Sequence, residues 1–309
     1  MNTCSGRPHC PENHGRLTLD KIRRLPTNAL YTRIVIATFN DTEDNMPTAH
    51  VNGTGIYYES QGSETNPSIV FAHGRGGNTL SWWQQVSFFS AKYHCITFDH
   101  RGWGKSPTSD FSKYREYFAD DLAALLDNLG IYQTFLVAQS MGGFSCLEFA
   151  LSHPKRTSGL VLADTTGGIS TTGTLAELLK TNPPPDGPNR SLSQSFIQNN
   201  PDKSFLYEQI NNLNPPRGDD GIVSGFRRDD GPNIESFCNW DIPTLLIVGE
   251  EDVIFPPAVI SEVKKAVPDS RMEIVKGAAH SAHFEQPKIF NQLVDEMFSD
   301  VINKRILSS

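Results

Sequence analysis

The chain has 309 residues, a formal net charge of −8 and 38% hydrophobic content. That size and composition predict an ordinary globular protein with a large core, long for one domain but within reach of a single α/β fold carrying an insertion. The acidic balance excludes a nucleic-acid or anionic-membrane surface, which needs clustered Lys and Arg, and no apolar run approaches the roughly 20 residues of a membrane span.

Residues 1–45 differ from the rest. They mix Arg, Thr, Asn and Pro, with Arg7, Arg16, Arg23, Arg24 and Arg33 and few acids before Asp41, and carry no sustained periodicity beyond Ile34-Val35-Ile36. They read as a poorly ordered extension without the apolar stretch of a signal peptide. Cys4, His9, Cys10 and His14 match no structural zinc spacing, so no metal is expected. The five cysteines (Cys4, Cys10, Cys95, Cys146 and Cys238) are odd in number and mostly isolated, which predicts a reducing, cytoplasmic setting without a disulfide framework.

From Ala49 the pattern becomes regular. Val51 to Ser60 predicts a hairpin turning at Asn52-Gly53 or Gly53-Thr54-Gly55. Ile69–Ala72 is a short apolar strand ending at His73-Gly74, Leu80–Tyr93 a helix, and Cys95–Asp99 a strand. Phe118, Leu122, Leu125, Leu126 and Leu129 recur at helical spacing before Gly130, a C-cap candidate. Phe135–Ala138 is a strand, followed by a helix through Phe144–Leu151 and a strand at Gly159–Asp164. Thr244–Val248 and Met272–Val275 are later strands, and Phe290, Leu293, Val294, Met297 and Phe298 mark a final helix. Short apolar strands alternating with helices predict a parallel sheet buried on both faces.

The alternation breaks between Gly167 and Trp240, a stretch rich in Asn, Pro, Gly and Asp with helix-like pieces at Leu175–Lys180 and Leu192–Ile210. Aliphatic and aromatic residues such as Phe196, Phe205, Leu206, Tyr207 and Phe226 punctuate it. The expected organisation is therefore a core of 46–166 and 241–309, with 167–240 as a cap over the carboxyl end of the sheet, where open α/β folds bind ligands.

Chemistry concentrates at Ala138-Gln139-Ser140-Met141-Gly142-Gly143, between a strand and a helix. Small residues two before and two after a central Ser permit the sharp turn of a nucleophile elbow. A Ser hydroxyl needs a base in hydrogen-bond reach, itself oriented by a third group, and in such a fold acid precedes His along the chain. Thr244–Val248 leads into Gly249-Glu250-Glu251-Asp252, and Met272–Val275 into Lys276-Gly277-Ala278-Ala279-His280. Asp252 is preferred as the acid over Glu250, Glu251 and the fallback Asp164 because it lies far enough past its strand to reach the His. His280 is preferred over His283 as the base because it lies nearer the strand end and follows small residues. Ser281 and Glu285 are candidates to buttress its loop.

An acyl-transfer site also needs two backbone N–H donors for the oxyanion. Met141 follows the nucleophile, and Arg75 lies in His73-Gly74-Arg75-Gly76-Gly77, after an earlier strand. This Gly-rich loop has neither G-K-[ST] nor G-x-G-x-x-G, so a nucleotide cradle is not favoured. Trp82 and Trp83 are candidates for the substrate pocket, with helix packing expected for at least one. Arg75, Arg227 and Arg228 are weighed as partners of a substrate carboxylate, a solvated face being favoured for the last two.

With His73–Gly77, Phe98-Asp99-His100-Arg101-Gly102-Trp103-Gly104-Lys105-Ser106, the Ser140 elbow, Gly249–Asp252 and His280 through Glu285-Gln286-Pro287, the chain resembles α/β-hydrolase-fold enzymes of the esterase, lactonase and carbon–carbon-bond hydrolase group. The likeness runs from about residue 49 to the C-terminus. It implies an eight-stranded, mostly parallel sheet flanked by helices, a helical cap, a small-molecule substrate and no cofactor, with Ser140, Asp252 and His280 as triad and Arg75 and Met141 as oxyanion donors. Ala138 and Ala279 replace glycines common in the pattern, and both substitutes are small. A Ser nucleophile disfavours the haloalkane dehalogenase and epoxide hydrolase branches, which attack through a carboxylate. The leading expectation is hydrolysis of an ester or lactone. A carbon–carbon-bond hydrolase, a ligand receptor and a lyase or cofactor-free oxidative enzyme of the same fold are the alternatives.

Overall fold

A computed structural model describes residues 46–108, 114–181, 183, 190–216 and 231–308. Every described residue lies within one compact unit, Asn45–Ser309. The expected extension 1–45, with Cys4, His9, Cys10 and His14, lies outside the described residues, as do Phe226, Arg227 and Arg228.

Eight strands form one sheet: β1 (Thr48–Val51), β2 (Thr54–Gln61), β3 (Ser68–Ala72), β4 (His94–Phe98), β5 (Thr134–Gln139), β6 (Thr157–Ala163), β7 (Thr244–Gly249) and β8 (Arg271–Val275). Their order is β1-β2-β4-β3-β5-β6-β7-β8. β1 pairs with β2 and β2 with β4 antiparallel, and all later pairings are parallel. Asn52 (φ 47°) and Gly53 (φ 74°) make the two-residue turn between β1 and β2, both in the left-handed region that such a hairpin demands.

The helices are α1 (Trp83–Phe89), α2 (Phe118–Asn128), α3 (Gly142–Ser152), α4 (Gly173–Thr181), α5 (Gln194–Asn199), α6 (Pro201–Asn212), α7 (Pro257–Ala266), α8 (Ala282–Glu285) and α9 (Pro287–Ser308). Strands β3 to β7 are buried at every residue, as parallel strands covered on both faces must be. Side-chain alternation splits the core in two. Val70, Leu136, Leu160 and Leu246 face α2, α3 and α7, whereas Ile69, Phe71, Phe135 and Val161 face α1 and α9. Cys95 and Cys146 are buried free thiols within these layers, filling them as small apolar side chains, and Cys238 is free and exposed.

Two helical expectations are revised. The helix expected over Leu80–Tyr93 opens as a 3₁₀ turn at Thr79–Trp82, capped by Asn78, and ends at Phe89, whose carbonyl accepts the N–H groups of both Lys92 and Tyr93. The piece expected over Leu192–Ile210 is two helices. Pro201 forces its predecessor Asn200 out of helical geometry (φ −135°), so α5 stops and α6 restarts with Pro at its first turn. Sequence reading also passed over α7, whose Val259, Ile260 and Val263 do recur at helical spacing, and the single-turn α8. Helices α4, α5 and α6 all fall between β6 and β7. Among the described residues no helix is long and apolar enough to cross a membrane.

Candidate active site

Ser140 follows β5 with φ 49°, a left-handed conformation that costs an L-residue about 1–2 kcal/mol. Hydrogen bonds from both sides hold it there. Its N–H donates to the Ala163 carbonyl (3.0 Å), and its own carbonyl accepts the Thr165 hydroxyl (2.6 Å). The turn closes only because Gly142 lacks a side chain, since a Cβ there would lie 2.2 Å from the Ala72 carbonyl oxygen.

His280 Nε2 lies 2.9 Å from Ser140 Oγ, and His280 Nδ1 lies 2.9 Å from Asp252 Oδ2. All three residues are buried. Asp252 Oδ1 accepts the N–H groups of Ile254 (2.8 Å) and Phe255 (3.0 Å), which directs Oδ2 at the imidazole. A carboxylate only accepts, so this arrangement puts the proton on Nδ1 and leaves Nε2 to accept from the serine hydroxyl. Burial opposes the charged form of His280, but the charge and hydrogen bond of Asp252, with help from Asp164, outweigh it and raise the imidazole pKa above 6.5; Arg190 acts in the lowering direction.

The rejected acids sit elsewhere. Glu250 and Glu251 are exposed. Asp164 is buried after β6 and accepts N–H groups from the loops carrying the other two residues, Gly249 (2.9 Å) and Ala282 (3.2 Å). Burial and the nearby Asp252 carboxylate push its pKa well above the usual carboxylate range. Asp164-Thr165 therefore braces the serine, acid and histidine loops together, a role sequence reading did not find. Gln139 was also missed although it stands beside the serine: its Nε2 donates to the His280 carbonyl (2.7 Å).

The 73–77 loop is fixed from below. His73 Nδ1 donates to the Gly74 carbonyl (2.7 Å), which also accepts the Gly77 N–H (2.9 Å). Gly74 C=O and Arg75 N–H belong to one planar peptide, so pinning the carbonyl sets the direction of the amide. His73 Nε2 then accepts from the His100 N–H (3.0 Å) and His100 Nδ1 (3.2 Å), and His100 Nε2 accepts the Ser145 hydroxyl (2.7 Å). Complete burial holds His100 far below the usual imidazole range. The Arg75 carbonyl accepts the Trp103 indole N–H (2.6 Å). Met141, the other expected donor, is buried at the N-terminal end of α3.

The expectation that Trp82 lines a substrate pocket is corrected. It has 0% exposure and its ring packs on Phe71 (5.2 Å), His283 (4.6 Å) and Phe290 (6.4 Å), which makes it a core residue. Trp83, one residue on, is 42% exposed on α1.

His283 is likewise a packing residue. It is buried, its Nδ1 has no hydrogen-bond partner among the described residues, and burial drives its pKa from 6.5 down to about 3. The unfolded chain therefore binds a proton that the folded one refuses. This stabilising term is intact above pH 6.5, shrinks as the unfolded imidazole protonates, and is exhausted near pH 3. Over that span it amounts to about 5 kcal/mol. Denaturant titrations should thus show a smaller loss of stability between pH 7 and pH 4 in His283→Phe than in the wild type. An equal loss in both excludes His283 as the source.

Comparison with known proteins agrees with this architecture. Residues 67–287 match the model of the alpha/beta hydrolase fold family, and the chain belongs to that family. It is 27% identical over 268 residues to 3-oxoadipate enol-lactonase 2 of Acinetobacter baylyi, covering 81% of this chain and 97% of that protein. It is 30% identical over 263 residues to 2-hydroxy-6-oxononadienedioate/2-hydroxy-6-oxononatrienedioate hydrolase of Burkholderia vietnamiensis, covering 78% of this chain and 90% of the relative. The crystal structure of the enol-lactonase from Burkholderia xenovorans LB400 shares the fold, with a TM-score of 0.68 at 22% identity, over 82% of this chain and 100% of that one.

Proposed function

We propose that the protein is a serine hydrolase that cleaves a small-molecule carboxylic ester or lactone through an acyl-enzyme on Ser140. The observation that carries this reading is the unbroken hydrogen-bonded series Ser140–His280–Asp252, 2.9 Å at each step, whose carboxylate end selects the tautomer a general base requires. Similarity to a named lactonase and a named hydrolase supports the reaction class.

In this reading His280 Nε2 takes the Ser140 proton as Oγ attacks the substrate carbonyl. Asp252 keeps Nδ1 protonated and stabilises the imidazolium. The N–H groups of Met141 and Arg75 receive the oxyanion, the first reinforced by the dipole of α3. His280 then protonates the leaving alkoxide, and water repeats the sequence to release the acid. Residues 167–240 act as the cap. Supporting that role, Asn78 Nδ2 donates to the Ile210 carbonyl (2.8 Å), Asn214 Nδ2 to the Gly76 carbonyl (3.3 Å), and the hydroxyls of Tyr207 and Ser281 lie 2.8 Å apart. These contacts tie the cap to both the oxyanion loop and the histidine loop.

The test is labelling with a fluorophosphonate, with the site located by peptide mass spectrometry. Label on Ser140, absent from heat-denatured protein and from Ser140→Ala, is the expected result. Folded protein that takes no label at Ser140 overturns the proposal.

A further inference from the structure

Glu285 is a buried carboxyl that the proposed reaction does not use. Its two oxygens serve different parts of the molecule. Oε1 accepts the N–H of Ala279, the residue before His280, at 2.8 Å. Oε2 accepts the N–H of Ser193, the N-cap of α5, also at 2.8 Å. One side chain therefore bridges the histidine loop and the stretch between β6 and β7. A second link lies just beyond the histidine, where the Ser281 hydroxyl meets Tyr207 of α6 at 2.8 Å. Around both, Phe284 of α8 packs with Leu192, Phe196 and Ile210, so polar and apolar contacts seat the same surface.

Other hydrogen bonds also anchor the backbone around His280, among them the Glu251 N–H on the Ala278 carbonyl at 2.8 Å. Gln139 holds the His280 carbonyl and Asp164 the Ala282 N–H, both from the sheet side. The Ala279 and Ser281 contacts come from the other side, through Glu285 and Tyr207. If α5 lifts away, Glu285 loses the Ser193 N–H and is no longer clamped at both oxygens. The Ala279 peptide is then held by a carboxylate free to turn toward water. Imidazole placement tolerates little of this, since a shift of about 1 Å costs on the order of 10² in rate.

We propose that Glu285 is a positioning residue that couples the seating of residues 190–212 to the alignment of His280. The coupling makes the base competent only while that segment is docked, so the reactive serine is activated after the site is covered. The inference rests on the reading of His280 as the general base.

Glu285→Gln tests it. The amide keeps the shape but turns an N–H₂ toward one of two N–H donors, so one anchor must break. Two readouts apply: the rate of Ser140 labelling by a fluorophosphonate, and amide hydrogen exchange. Labelling should slow by about 10–10²-fold. Exchange should accelerate in 190–212 and 279–285 while β5, β6 and β7 keep wild-type protection. Unchanged labelling, or faster exchange spread evenly through the sheet, overturns the proposal. Should Glu285→Gln fail to fold, Tyr207→Phe removes the second link, together with the Tyr207–Ser191 hydrogen bond within the segment. The same local pattern is expected there with a several-fold loss, and unchanged exchange at 279–285 overturns the coupling. A wild-type protein that resists labelling at Ser140 sinks the serine-hydrolase reading instead, and the exchange pattern still decides whether Glu285 joins the two segments.

Discussion

Replacing Ser140 with alanine is expected to lower kcat by about 10⁶ while leaving the fold intact, and replacing it with glycine should do the same while leaving the protein more stable than the alanine variant. The rate term follows from the proposed role: without Oγ no acyl-enzyme forms, and loss of a triad serine removes nearly everything the triad supplies. A residual about 10³–10⁴ above the uncatalysed rate should persist, because the Met141 and Arg75 amides belong to the backbone and remain. The stability term follows from φ 49° at Ser140. Alanine keeps the Cβ that makes this conformation costly, whereas glycine removes it. After the greater freedom of glycine in the unfolded chain is set against that relief, Ser140→Gly should exceed Ser140→Ala by about 0.5–1 kcal/mol in denaturant unfolding. Equal stabilities would mean that the elbow stores no strain. Activity retained in both variants would remove the serine from the mechanism.

The strain explains why the elbow was readable in the sequence. A turn this tight admits few residue types, so Ala138, Gly142 and Gly143 had to be small, and chain geometry wrote itself into composition. The strands were legible for a similar reason: burial on both faces leaves continuous apolar runs such as Ile69–Ala72 and Leu160–Ala163. The pairing of Asp252 with His280 was also legible, because a carboxylate a few residues beyond the end of β7 can reach over to the histidine loop. What stayed hidden depends on contacts between residues distant along the chain. Gln139 reaches a carbonyl 141 residues away, and Ser193 reaches Glu285 across 92. Nothing in their neighbourhoods distinguishes them from ordinary polar residues. Trp82 misled for the opposite reason: its nearness to the oxyanion loop in sequence suggested a pocket, but a 3₁₀ turn at Thr79–Trp82 rotates the ring into the core, and Trp83 is the exposed neighbour.

Asp252→Asn should cost about 10⁴ in kcat with little change in stability. The amide oxygen can keep the Ile254 and Phe255 N–H groups now bound by Oδ1, which sets an N–H₂ group against His280 Nδ1. Nδ1 must then accept, the proton moves to Nε2, and Nε2 no longer receives the serine proton. Asp164 is not expected to rescue the variant, since its oxygens are occupied by the Gly249 and Ala282 N–H groups. The pH profile supplies an independent sign. In the wild type His280 titrates above 6.5 because Asp252 outweighs burial, so kcat/KM should fall with an acid limb above that pH as the base becomes charged. Without the Asp252 charge burial regains its influence, the imidazole pKa drops, and the limb moves to lower pH. Profiles of wild type and Asp252→Asn between pH 5 and 9, on an ester that the wild type hydrolyses, decide the matter. A limb that stays in place while the rate falls would show that Asp252 acts only as a loop cap, holding Ile254 and Phe255, and that the imidazolium draws its stabilisation from another group.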